Sequence, residues 1–108
     1  MKRGDIYWVS LDPVEGRDQR SHRPVLIIST VEFNEATKLP VVLPITNVGD
    51  FARRIGFAVP ITGIETTGIL RCDQPRVLDI DACHGRKVDT LPADLLDDVM
   101  ARVATLFA

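Results

Sequence analysis

Two cysteines, Cys72 and Cys83, are too few for a disulfide framework in a chain of 108 residues, and with His22 and His84 they do not fall into the spacing of a zinc site. No metal or cofactor is expected. Net positive charge is also missing: the formal charge is −2, which argues against a protein that holds nucleic acid through bulk cationic surface. No apolar run approaches the roughly 20 residues needed to cross a bilayer. The opening Met1-Lys2-Arg3-Gly4-Asp5 lacks the apolar segment of a signal peptide. A cytoplasmic protein with free thiols and no membrane partner is therefore expected. Lysine is scarce, three residues against ten arginines, and arginine favours planar, bidentate contacts to phosphate over loose solvation. Repeats, linkers and low-complexity segments are absent.

What is present suffices for one compact domain over residues 1–108, with 45% hydrophobic content. Residues 1–78 hold ten cations against nine carboxylates, and residues 79–108 hold three against six, so the acidity sits in the tail. Arg17, Arg20 and Arg23 form one basic point, Arg53-Arg54 a second, and Arg71 to Arg76 a third. They either converge on an anionic ligand or remain three solvated patches, and sequence distance leaves both open.

Alternation over Ile6 to Leu11 predicts a first strand, whose Tyr7 and Trp8 read as core or interface residues ahead of base-stacking platforms. Asp12 to Gly16 is turn chemistry, extended by the charged run Arg17 to Arg23 into a long loop. Pro24 to Ser29 is continuously apolar, as in a strand buried on both faces. Val31 to Lys38 reads as a short helical turn. Pro40 to Thr46 and Gly56 to Ile61 read as strands, the latter with Pro60 at an edge or end; Arg76 to Ile80 and Lys87 to Thr90 follow. From Pro92, at a first helical position, apolar residues recur every three or four positions from Leu95 through Phe107. Asp97, Asp98 and Arg102 fall on the wet face of that helix. The expected fold is mostly β with a C-terminal helix: a small antiparallel barrel, SH3-like or OB-like.

The segment Thr66 to Arg76 gathers the most chemistry. Gly68-Ile69-Leu70 suits a buried strand, Arg71, Asp73 and Gln74 follow at its end, and Pro75 removes a backbone donor where pairing would otherwise continue. Strand alternation points Arg71 and Asp73 one way and Cys72 the other. Such a pair either closes a sheet edge or handles a phosphate.

Three pieces stand in order: Arg3-Gly4-Asp5-Ile6 with Trp8-Val9; Asp12-Pro13 to Gly16 with Arg23-Pro24-Val25; and Thr67-Gly68 to Arg71-Cys72-Asp73-Gln74. Together they resemble the MazF/PemK family of toxin endoribonucleases over nearly the whole chain. Phe51-Ala52-Arg53, Gly56 to Val59 and Arg71 to Arg76 look most like its plasmid-maintenance PemK/Kid branch. The resemblance implies an SH3-like barrel shared with the CcdB toxins, a homodimer, and metal-free cleavage of single-stranded RNA. It also implies a partner antitoxin of the PemI, Kis or MazE kind, whose disordered C-terminal segment covers the toxin and through which alone operator DNA is met.

By the same resemblance Asp73 is the base and Arg71 its partner in one proposal, Arg23 and Thr46 hold the scissile phosphate in another, and Arg17 stands where the branch has a catalytic histidine. Arg17 cannot shuttle a proton near neutrality; His22 is a candidate replacement, against a plain loop histidine. Arg71 keeps its proton in proteins, so charge stabilisation is its easier role. Base recognition is expected from Asn47, Phe51, Arg53, Phe57, Thr67, Ile69, Gln74 and Arg76, with Phe51 or Phe57 stacking on a splayed base or packing beneath the loop. Two rival functions remain open, a non-enzymatic binder of DNA gyrase like CcdB and a co-repressor acting with its antitoxin.

Overall fold

The computed structural model describes residues 1–10, 22–47 and 53–108. Of the expected loop over Asp12 to Arg23, residues 12–21, with Arg17 and Arg20, lie outside the described residues, as does the turn at Gly49-Asp50 with Phe51; His22 and Arg23 belong to a strand instead, paired with Ser10 and Val9. The described elements are β1 (Asp5–Ser10), β2 (His22–Ile27), α1 (Val31–Thr37), β3 (Val41–Thr46), β4 (Ala58–Pro60), β5 (Ile69–Arg71), β6 (Arg76–Val77), β7 (Arg86–Thr90) and α2 (Ala93–Ala104).

The strands form one antiparallel sheet in the order β4-β5-β3-β2-β1-β7, with β6 beside the first half of β3. Among the described residues the end strands β4 and β7 do not pair with one another, so the sheet is barrel-like and not closed. β1 and β2 are held in register at Ile6↔Leu26, Trp8↔Pro24 and Ser10↔His22, and β2 and β3 at Leu26↔Leu43.

Alternation sends side chains of each strand to two faces, and both are covered. Ile6, Leu26, Leu43, Ile45 and Leu70 pack with Val59 and with Val99 and Val103 of α2. On the other face Val9, Val25, Ile27 and Val42 pack with Leu78, Ile80 and Cys83. This double cover is why the Pro24-to-Ile28 run is apolar without a break. β2 and β3 are the central strands of the sheet.

α1 is a full short helix. Thr30 caps it by accepting the Phe33 N–H (3.3 Å), and Lys38 ends it in the left-handed region at φ 58°. Several boundaries differ from expectation. β4 stops at Pro60, although the Ile61 N–H still reaches the Gly68 carbonyl (3.0 Å). β6 ends at Val77: the Leu78 N–H still reaches the Pro40 carbonyl in register (3.1 Å), but Pro40 has no N–H to return, and Leu78 and Ile80 enter the second core.

Pro92 precedes α2, its ψ of 144° being extended, instead of occupying the first helical turn. The apolar stripe also stops sooner than its period suggests. The helix ends at Ala104, and Phe107 is 80% exposed. Asp98 and Arg102 pair on the outer side (2.9 Å), but Arg102 also donates to the Gly56 carbonyl and so ties α2 to the chain before β4. Among the described residues no helix is long and apolar enough to cross a membrane.

Candidate active site

Because β2 and β3 run antiparallel, the start of β2 lies beside the end of β3, and Arg23 comes to rest near Thr46 and Asn47. These three line a cleft of about 670 Å³, with Thr66 and Thr67 opposite and Trp8, His22, Pro24 and Arg86 forming a further wall. Two features hold the Thr66–Thr67 side in place.

The first is Gly68, at φ 135°. A Cβ there would sit 2.8 Å from Ile45 Cγ2 and 3.1 Å from the Thr46 carbonyl oxygen, so only glycine lets this segment lie against the end of β3. The second is Asp89 on β7. Its Oδ2 accepts both the Thr66 N–H (3.0 Å) and the Thr66 hydroxyl (2.9 Å), and its Oδ1 accepts the Thr90 N–H (3.1 Å). Burial pushes the Asp89 carboxyl up, but these hydrogen bonds outweigh it and hold the group below its ordinary value.

Arg71 closes β5, and Asp73 is brought back to it by a turn in which the Gln74 N–H donates to the Arg71 carbonyl (3.1 Å). A turn, and not a continuing strand, places the two together. The pair is bidentate: Arg71 Nε to Asp73 Oδ1 at 3.0 Å and Nη2 to Oδ2 at 2.9 Å, both side chains about 15% exposed. The hydrogen bond from Arg71 holds Asp73 below its ordinary value against the opposing effect of burial, and raises Arg71 in turn. Proton donation by Arg71 is thereby made harder still.

The two candidate sets are neighbours and do not merge into one pocket. Thr46 faces Ile69 across the β3–β5 pairing, and Arg71 lies two residues further on the same face, about 7 Å along the strand. Arg71 and Asp73 do not line the cleft that holds Arg23, Thr46, Asn47 and Thr67.

The other candidates are dispersed. Ile69 is 8% exposed, which leaves its side chain nothing to present to a base. Phe57 is half-buried against the core and faces a separate hollow beside Arg102, away from the cleft. Arg53 and Gln74 are exposed outside the cleft, and Arg76 stands on β6 beside Val42, at the opposite end of β3 from Thr46. Arg17 and Phe51 lie outside the described residues. Among the described residues, no three His, Cys, Asp or Glu side chains gather as a metal ion would require.

Asp89, Arg86 and Glu65 were not foreseen at the cleft, and Trp8 was expected in a core or interface. The Trp8 ring stacks on His22, centroids 5.8 Å apart and planes at 18°. The strand register Ser10↔His22 creates this proximity, and no local pattern announces it.

Residues 2–107 match the family model described as PemK-like, MazF-like toxin of type II toxin-antitoxin system. The chain belongs to this PemK/MazF toxin family. It is 47% identical over 108 residues to the endoribonuclease PemK of Escherichia coli, which covers 98% of this chain and 81% of that one. It is 32% identical to the E. coli endoribonuclease toxin ChpB, covering 94% and 90%. Among solved structures, MazF in a MazE–MazF crystal from Deinococcus radiodurans superposes with a TM-score of 0.80 at 22% identity, over 100% of this chain and 95% of that one. A mycobacterial endoribonuclease in complex with its cognate antitoxin superposes at 0.78 and 22%, over 97% and 92%. These structures establish the PemK/MazF fold for the chain, with the barrel-like sheet and the C-terminal helix expected from the sequence.

Proposed function

We propose that this PemK/MazF toxin is an endoribonuclease that cuts single-stranded RNA without metal, acts in the cytoplasm as a homodimer, and is silenced by a MazE-like or PemI-like antitoxin. The observation that carries the reading is the bidentate Arg71–Asp73 pair, one strand pairing away from a cleft rimmed by Arg23 and Thr46, in a chain of this family. The named relatives are endoribonucleases, and a neighbouring structure holds a cognate antitoxin.

The reaction is attack of the ribose 2′-oxygen on the adjacent phosphorus. The O2′–P bond forms, the P–O5′ bond breaks, and the products are a 2′,3′-cyclic phosphate and a 5′-hydroxyl. Asp73 takes the 2′-hydroxyl proton, and water supplies the proton of the leaving 5′-oxygen. Arg71, Arg23 and the Thr46 hydroxyl bear on the charge that grows on the phosphoryl oxygens.

The pair also orders the events. While Arg71 binds both Asp73 oxygens, Asp73 is a weak base. A phosphate that draws the guanidinium donors to itself loosens that hold, so Asp73 gains basicity as the substrate docks.

The test is incubation of the purified toxin with long single-stranded RNA in EDTA, mapping the positions and chemistry of the ends. Discrete cuts ending in cyclic phosphate are expected. Asp73→Asn should slow cleavage about 10²- to 10⁴-fold while RNA binding persists. Arg71→Lys should lower the rate without changing the shape of the pH profile. Full activity of Asp73→Asn would remove Asp73 as the base, and no cuts from a folded toxin freed of antitoxin would remove the nuclease reading.

A further inference from the structure

One wall of the cleft is not used by the cleavage chemistry. Trp8 and His22 fall on the same face of the β1–β2 pair, and their stacked, half-buried rings line the cleft together. Arg86 is the register partner of Trp8 across β1 and β7, Arg23 is that of Val9 across β1 and β2, and both also line it. A flat aromatic surface therefore lies in a cleft that Arg86, on the same face, and Arg23, at the adjoining position on β2, both line. Trp8 is the only tryptophan of the chain, and it stands here instead of in the cores that Ile6 and Val9, its neighbours on the strand, fill completely.

We propose that the Trp8–His22 wall is a stacking subsite for one unpaired nucleobase adjacent to the scissile phosphate. Arg23 meets the phosphate at the cut, and Arg86 meets the phosphate on the far side of that base. The proposal rests on RNA cleavage by this chain. Stacking accepts any base, because every base has a π face, but a base within a duplex cannot present one. The wall thus supplies affinity and a demand for single strands, while Asn47, Thr67 and Glu65 in the same cleft are left to read the base edge.

The probe is a short RNA of the mapped cut sequence, protected by a 2′-O-methyl group on the attacking ribose and carrying a dye for anisotropy. Tryptophan emission should change saturably, in step with anisotropy. Trp8→Ala should weaken binding about 5- to 150-fold. An abasic nucleotide at the stacked position should weaken wild type similarly but leave Trp8→Ala unaffected. Arg86→Gln should reduce the slope of log affinity against log salt by about one.

If Trp8→Ala does not fold, His22→Ala, at a strand end, serves in the same cycle with the abasic probe. Binding with unchanged tryptophan emission, or additive abasic and side-chain losses, would overturn the subsite while cleavage stood. A folded toxin that neither binds the probe nor cuts RNA would overturn the nuclease reading beneath it.

Discussion

Asp73 and Asp89 are both held below their ordinary values, which bears on catalysis under the proposed mechanism for the first and on stability for the second. For catalysis, kcat/KM reports the free enzyme, in which Arg71 grips Asp73. Asp73 stays ionised down to the acid side of the usual carboxylate range. The profile is therefore expected to show no ascending limb between about pH 5 and 8, and a limb near about 6.5 would point to a histidine base instead. For stability, a carboxyl with a depressed folded value favours the native state above its unfolded value of about 3.9, and that contribution disappears as pH falls through the folded value. Asp89→Asn is expected to cost about 1–2 kcal/mol near neutrality, by urea unfolding, because Thr66 exchanges a charged acceptor for a neutral one. Its stability should also fall less steeply below about pH 4 than that of wild type. The Arg71–Asp73 pair was legible in the sequence because its partners are two residues apart. Asp89 was not, since its partner lies 23 residues away and only the strand register brings them together.

Elements were legible where one period ran long enough to dominate. The alternation of β1, the unbroken apolar run of β2 and the helical stripe of α2 each dictated its element. The short elements β4 and β6 were overestimated because their ladders run out on the partner strand: pairing thins to a single bond at Ile61–Gly68 and at Leu78–Pro40, where Pro40 has no N–H to return. Leu106 and Phe107 continue the α2 period on paper, yet the Thr105 hydroxyl and N–H both turn back to the Arg102 carbonyl (2.7 and 3.1 Å) and the helix stops. The lead into β5 carries the sharpest expectation. Gly68→Ala must place a methyl group 2.8 Å from Ile45 Cγ2 at a positive φ, and it is expected to destabilise by about 1–3 kcal/mol. Cleavage should fall as well, because Thr67 is displaced with it. A urea midpoint unchanged by this substitution would show that the end of β3 yields freely.

At the scale of the molecule the sheet separates two cores, and each contains one thiol. Cys72 packs with the α2 side, where burial pushes it up to about 11, and Cys83 packs with Leu78 and Ile80, also raised chiefly by burial. Near pH 8 both are protonated and shielded, so a thiol reagent should label them only on opening. Equal labelling rates are expected if the cores unfold as one cooperative unit, and mass spectrometry of the two peptides would reveal independent opening. The margin between β4 and β7 obeys a different rule. Among the described residues no ladder joins those strands, and the Asp89 carboxylate of β7 grips both donors of Thr66 in the β4–β5 connection. A ladder releases many bonds together or none, whereas this clasp comes undone alone. Asp89→Asn therefore weakens the hold on one side of the cleft without removing any contact of either core.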